Sequence, residues 1–198
     1  MKQLLIKIKN NKLLFALATL TGLSLILGLL FPAILSQENT ELIKKSITSF
    51  FSAIKANQLN YPSALISSLS NNLICSLGIW LLGISIIGLP IIIICIIFKG
   101  FLVGFSFTSI LITYGIKGAI YAILYTLPNI LNLLGLFLLS YYAISFSISL
   151  FNDLFRKRDM NKKIIIKRYL KIGIYALVYF IISSLLEIYI IPAILKLL

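Results

Sequence analysis

Residues 83–107 read GISIIGLPIIIICIIFKGFLVGFSF. The stretch is almost wholly apolar. It is interrupted near its start by Gly88-Leu89-Pro90 and carries one charge, Lys99, directly before Gly100 and shortly before Gly104. A segment that only anchors a protein in a bilayer requires none of these features. The apolar run from residue 69 to residue 98 is too long for one simple span. Glycine permits a turn, and proline restricts the residue before it and has no N–H for the helical ladder. The Gly88-Leu89-Pro90 interruption is therefore expected to be a tight turn between a span over about residues 62–88 and another over about 90–114. That places Lys99 inside the membrane, roughly 13 Å beyond the turn at about 1.5 Å per residue. An intramembrane lysine either faces the bundle interior in a paired or functional role or snorkels its four-carbon stem to the interface, and both readings stay open. Gly100 and Gly104 form a GxxxG pair, which lets two helix backbones approach closely.

The rest of the chain has the composition this stretch suggests. Of 198 residues, 60% are hydrophobic and 12% charged, against roughly half and a quarter for a soluble domain. Several apolar runs reach about 20 residues, enough to cross a hydrocarbon core of roughly 30 Å. The expected fold class is all-α: a polytopic membrane helical bundle of about five transmembrane helices in one domain over residues 1–198. There is no histidine, and the five acidic residues are scattered. The commonest metal ligand and general base are thus missing, and a carboxylate-built site is not expected. Cys75 and Cys95 lie inside apolar runs and read as packing residues. The net charge of +13 fits basic cytoplasmic loops facing anionic lipid. Nucleic acid is not an expected partner, since base readout needs a soluble module; membrane lipid is.

Working outward toward the N-terminus, Lys2, Lys7, Lys9 and Lys12 precede a first span over about residues 13–35, with Pro32 near its exit. Its apolar part is longer than the roughly 7 to 15 residues of a signal peptide, so an uncleaved helix with its N-terminus inside is expected. Residues 39–56 read as an amphipathic helix on the outer membrane surface, capped by Asn39 or Thr40. Leu42, Ile43, Ile47, Phe50, Phe51 and Ile54 recur on one face. That face either covers the bundle or docks an extracytoplasmic partner. Asn60 and Pro62 suit the start of the next span, whose outer half carries Ser67, Ser68, Ser70, Asn71 and Asn72. These hydrogen-bond to neighbouring helices or line a wet cavity.

Toward the C-terminus, Gly115-Ile116-Lys117-Gly118 makes a short outer turn. Pro128-Asn129 then divides the apolar residues 119–151. Residues 119–127 are too short to span, so they form either a re-entrant half-helix or part of a proline-kinked membrane helix, and both readings stay open. The fourth span covers about residues 130–151, with Tyr141 and Tyr142 as packing residues. Residues 156–171 hold Arg156, Lys157, Arg158, Lys162, Lys163, Lys167, Arg168 and Lys171 against one Asp159. A loop this basic is expected in the cytoplasm. The last span, about residues 172–195, takes the C-terminus outside and carries Glu187, some 10 Å from Lys99 in depth at about 1.5 Å per residue.

No P-loop, GxSxG, HExxH or paired-carboxylate motif is present. No catalytic, metal or cofactor residue is nominated, and the protein is not expected to be an enzyme. The segment quoted above, followed by YGIKG and LPNIL, resembles the stage II sporulation protein M family. The matching positions are Gly88, Leu89, Pro90, Lys99, Gly100, Gly104, Gly115, Lys117, Gly118, Leu127, Pro128 and Asn129. Asn129 stands where the family more often has glutamine. The resemblance implies a multi-pass protein of the mother-cell membrane at the sporulation septum. It also implies a scaffold role, recruiting or holding stage II sporulation proteins D and P, which degrade peptidoglycan during forespore engulfment. A homo-oligomer is compatible with it. The competing expectation, from the broken helices and Lys99, is the permease subunit of an exporter or channel with a path near Lys99.

Overall fold

The computed structural model describes residues 12–58, 60–156 and 162–196. Apart from short turns these residues are helical, and no strand occurs among them. Five helices are long and apolar enough to cross a membrane. The chain is thus the polytopic helical bundle its composition calls for.

Helix α1, Lys12–Leu30, runs into a 3-10 turn, Phe31–Ile34, with Pro32 at its start. Helix α2, Gln37–Lys55, is amphipathic. Its cap is Ser36, whose Oγ accepts the Asn39 N–H at 3.4 Å. Asn39 and Thr40, the expected caps, lie inside the first turn, where Thr40 Oγ1 donates back to the Ser36 carbonyl. Helix α3, Tyr61–Leu82, starts with Asn60 Oδ1 accepting the Ser63 N–H at 3.3 Å, and Pro62 in the first turn.

The turn between α3 and the next helix falls earlier than Gly88-Leu89-Pro90. It occupies residues 83–87, closed by short-range bonds such as Ile84 N–H to Leu81 and Ser85 N–H to Leu82, both 3.1 Å. Helix α4 is Gly88–Tyr114, so the three residues read as a break form its first turn. The first four N–H groups of a helix have no partner within it, so Pro90 loses nothing there. Gly88 serves close approach: a Cβ at this position would collide with the Leu82 carbonyl.

The Gly115–Gly118 turn is where the sequence puts it. Gly115–Gly118 forms a 3-10 turn with Gly115 at φ +63°, a backbone region that favours glycine. Helix α5 then runs unbroken over Ala119–Arg156, 38 residues with Pro128 inside it. There is no re-entrant half-helix. Pro128 leaves the Leu124 carbonyl without its usual donor. Polar side chains gather on the adjacent carbonyls: Thr126 Oγ1 donates to Ala122, and Asn129 Nδ2 to Tyr125 at 3.1 Å. Such bonds let a membrane helix carry proline without unwinding.

Helix α6, Lys162–Leu185, continues through a wide π-helical turn, Leu186–Ile190, into α7, Ile191–Lys196. The expected basic loop over 156–171 is therefore largely helix. Residues 157–161 lie outside the described residues, and Lys163, Lys167, Arg168 and Lys171 project from the exposed start of α6.

Helix α5 contacts every other spanning helix, and α4 packs most extensively on α1. One core, toward the 83–87 end, gathers Leu17, Ile79, Ile92, Leu136, Leu139, Phe146, Tyr169 and Phe180. There Tyr169 Oη donates to the Trp80 carbonyl at 2.5 Å, Trp80 Nε1 donates back to the Tyr169 carbonyl at 3.4 Å, and the Phe146 and Tyr169 rings stack 3.9 Å apart. A second core caps the opposite end, where Phe51 and Ile54 of α2 meet Ile110, Ala122, Ile191 and Leu195.

Candidate functional site

The polar residues that the bilayer would reject converge between the two cores. Lys99 from α4, Ser68, Asn71 and Asn72 from α3, Asn129 and Asn132 from α5, and Glu187 from the π-helical turn line one cavity of about 180 Å³. Ser68 Oγ donates to Glu187 Oε2 at 2.7 Å, and Asn72 Nδ2 donates to Ser184 Oγ at 2.9 Å. Asn132 is 6% exposed and its Oδ1 has no hydrogen-bond partner. Lys99 is half-buried on the cavity wall. The side chain faces the bundle interior, the first of the two readings open for it. Glu187, which axial counting put some 10 Å away in depth, lines the same cavity.

Local structure brings these groups together. Tyr125, Asn129 and Asn132 follow one another at four- and three-residue intervals, so they share a face of α5. The π-helical turn adds a residue to one turn of the last helix, and such bulges occur often at functional sites. Asn132 and Tyr125 were not nominated from the sequence, although their spacing from Asn129 is a readable signal.

Tyr125 also lines two apolar grooves beside the cavity. One, of about 410 Å³, lies under α2 between Leu42, Ile43, Ile47, Phe50, Phe105 and Ile110, and shares Ser106 and Tyr125 with the polar cavity. The other, of about 300 Å³, runs past Pro128, Ile188 and Pro192, and shares Ser68, Asn71, Tyr125 and Glu187.

The glycines nominated with Lys99 build the neighbouring wall. At Gly100 a Cβ would strike Ser24 Oγ, and at Gly104 it would lie 2.8 Å from the Leu29 nitrogen. Gly28 presses on the Phe101 carbonyl from the α1 side. The GxxxG pair is thus a backbone seam between α1 and α4 rather than part of the cavity. Gly88 and Pro90 start α4 at the far end. Gly118 packs on Tyr114 in the Gly115–Gly118 turn; the side chain of Lys117 falls outside the described ones. Of the apolar face of α2, Phe51 and Ile54 are 4% and 1% exposed, whereas Leu42 and Phe50 are exposed. Phe51 is ringed by Tyr114, Tyr121 and Tyr125 with centroids 5.5–6.3 Å away. Lys55 Nζ donates to Tyr121 Oη at 2.9 Å. Phe51 and Ile54 thus dock the helix on the bundle, whereas Leu42 and Phe50 border an open groove. Among the described residues, no group of three or more Cys, Asp or Glu is placed to hold a metal ion.

The family model of stage II sporulation protein M matches residues 12–192. The chain belongs to this family. The match reaches all five spanning helices and takes in helix α2 and every lining residue of the polar cavity. Stage II sporulation protein M membership and the apolar helices together make this a sporulation-family, multi-pass membrane protein. Neither a curated protein nor a solved structure matches the chain.

Proposed function

We propose that the protein is a non-enzymatic membrane scaffold that holds peptidoglycan hydrolases, stage II sporulation proteins D and P, at the septum during forespore engulfment. The family assignment supports a sporulation role. The observation that carries the scaffold reading is α2: Phe51 and Ile54 anchor it in the bundle, while Glu41, Lys44, Lys45, Thr48 and Ser52 stand exposed on its polar side. A helix fixed rigidly to a membrane bundle with a free polar face is suited to present a docking surface. In the orientation that goes with this reading, the basic start of α6 lies in the mother-cell cytoplasm and α2 lies outside.

The test is a pull-down from sporulating cells with Lys44→Glu/Lys45→Glu, a pair of surface changes that leaves the buried face intact. Recovery of the hydrolases is expected to fall by roughly tenfold, about 1.4 kcal/mol of interaction. Unchanged recovery together with unchanged septal localisation rejects α2 as the docking surface.

The polar cavity favours a second reading, the permease subunit of an exporter or channel with its path at Lys99. Under it, Lys99→Met abolishes transport in reconstituted vesicles while the protein stays folded and abundant. Full engulfment in cells carrying Lys99→Met removes its main support.

A further inference from the structure

We propose that the polar cavity and the two apolar grooves that share Tyr125 with it form a binding site for one membrane phospholipid with a phosphoethanolamine headgroup. The inference goes beyond the scaffold reading and does not depend on it.

The shape is amphiphilic. A polar chamber of about 180 Å³ lies beside two grooves of about 410 and 300 Å³ with largely apolar walls, and Tyr125 lines all three. One headgroup and two chains need that division. Small solutes and ions would use the chamber and leave the grooves unexplained.

The charges select the headgroup. Lys99 and Glu187 stand on walls contributed by different helices, in a region where desolvation makes an uncompensated charge costly. A ligand with both signs compensates both: its phosphate ester meets the Lys99 ammonium, and its own ammonium meets the Glu187 carboxylate. A singly anionic lipid would satisfy Lys99 and set a phosphate near Glu187. The unpartnered acceptor Asn132 Oδ1, nine-tenths buried on the chamber wall, calls for a donor. A primary ammonium has three N–H donors, whereas a choline headgroup has none. Phosphoethanolamine is therefore favoured over phosphocholine by hydrogen bonding as well as charge.

The experiment uses the full chain in nanodiscs containing equal amounts of ethanolamine, choline and glycerol phospholipids, released into the gas phase for native mass spectrometry. One ethanolamine phospholipid is expected to stay bound per chain, preferred by roughly tenfold over either competitor. Lys99→Met and Glu187→Gln should each abolish the preference. Glu38→Gln, on the exposed first turn of α2, should leave it intact. Equal retention of the three lipids by the unaltered protein overturns the proposal, and that arm stands even if a cavity variant fails to fold. Survival of the preference in both cavity variants also overturns it. So does full displacement of the lipid by chain-free phosphoethanolamine, which would mark a small-solute site.

Discussion

Glycine at positions 28, 100 and 104 sets how closely α1 and α4 approach. Each would place a Cβ inside the partner's backbone or side-chain atoms, so larger residues force the helices apart. Gly104→Leu is expected to destabilise the protein by about 1–3 kcal/mol, the usual cost of overpacking, read as a lower melting temperature in detergent. Tyr169→Phe keeps the stack on Phe146 and loses the bond to the Trp80 carbonyl. Its cost should be near 0.6 kcal/mol, the average for membrane side-chain bonds, visible in the same assay. At this scale the sequence was informative about chemistry and poor about company. GxxxG and the intramembrane Lys99 were legible, because a charge or a glycine pair in an apolar run stands out. That Lys99 and Glu187 line one cavity was not. Counting residues measures depth along an axis and carries no information about lateral packing or about the π-helical turn that carries Glu187.

For the helices, proline and glycine misled in a consistent way. Both interruptions, Gly88-Leu89-Pro90 and Pro128, read as breaks, and both are helical. In α4 the proline sits where N–H groups are idle. In α5 it sits among side chains that hydrogen-bond to carbonyls. Neither context is visible from the proline alone. Continuity of α5 has a direct test. In a protein with Cys75 and Cys95 replaced by alanine, single cysteines at Ile120, Ile123, Leu127, Leu131 and Leu134 should react with a membrane-soluble maleimide, since all are exposed on the helix surface. Cysteines at Ala122 and Thr126, 0% and 1% exposed, should not. Loss of this helical period at Pro128 would restore the re-entrant segment. The amphipathic pattern of α2 was readable as a face. What the face covers was not, because the pattern is the same for a membrane surface and for a protein surface.

The whole molecule has two unlike ends. Lys12, the 83–87 turn and the start of α6 share one end, while α2, the Gly115–Gly118 turn and α7 share the other. Each spanning helix connects the two. Alkaline phosphatase fused after Lys196 is therefore expected to be active outside the cytoplasm, and the same enzyme fused after Arg156 inactive. The reverse pattern would invert the proposed orientation. The number of spans and the fold class were legible because the bilayer imposes a length and a polarity that few other constraints imitate. Connecting them all is α5. At about 1.5 Å per residue its 38 residues reach roughly 57 Å, nearly twice the hydrocarbon thickness. A continuous helix of that length is a stiff lever pivoted in the bilayer. A tilt of about 5° moves one tip by about 5 Å relative to the other. An event at the basic end can therefore be delivered as a displacement at the α2 end, with no soluble messenger between them.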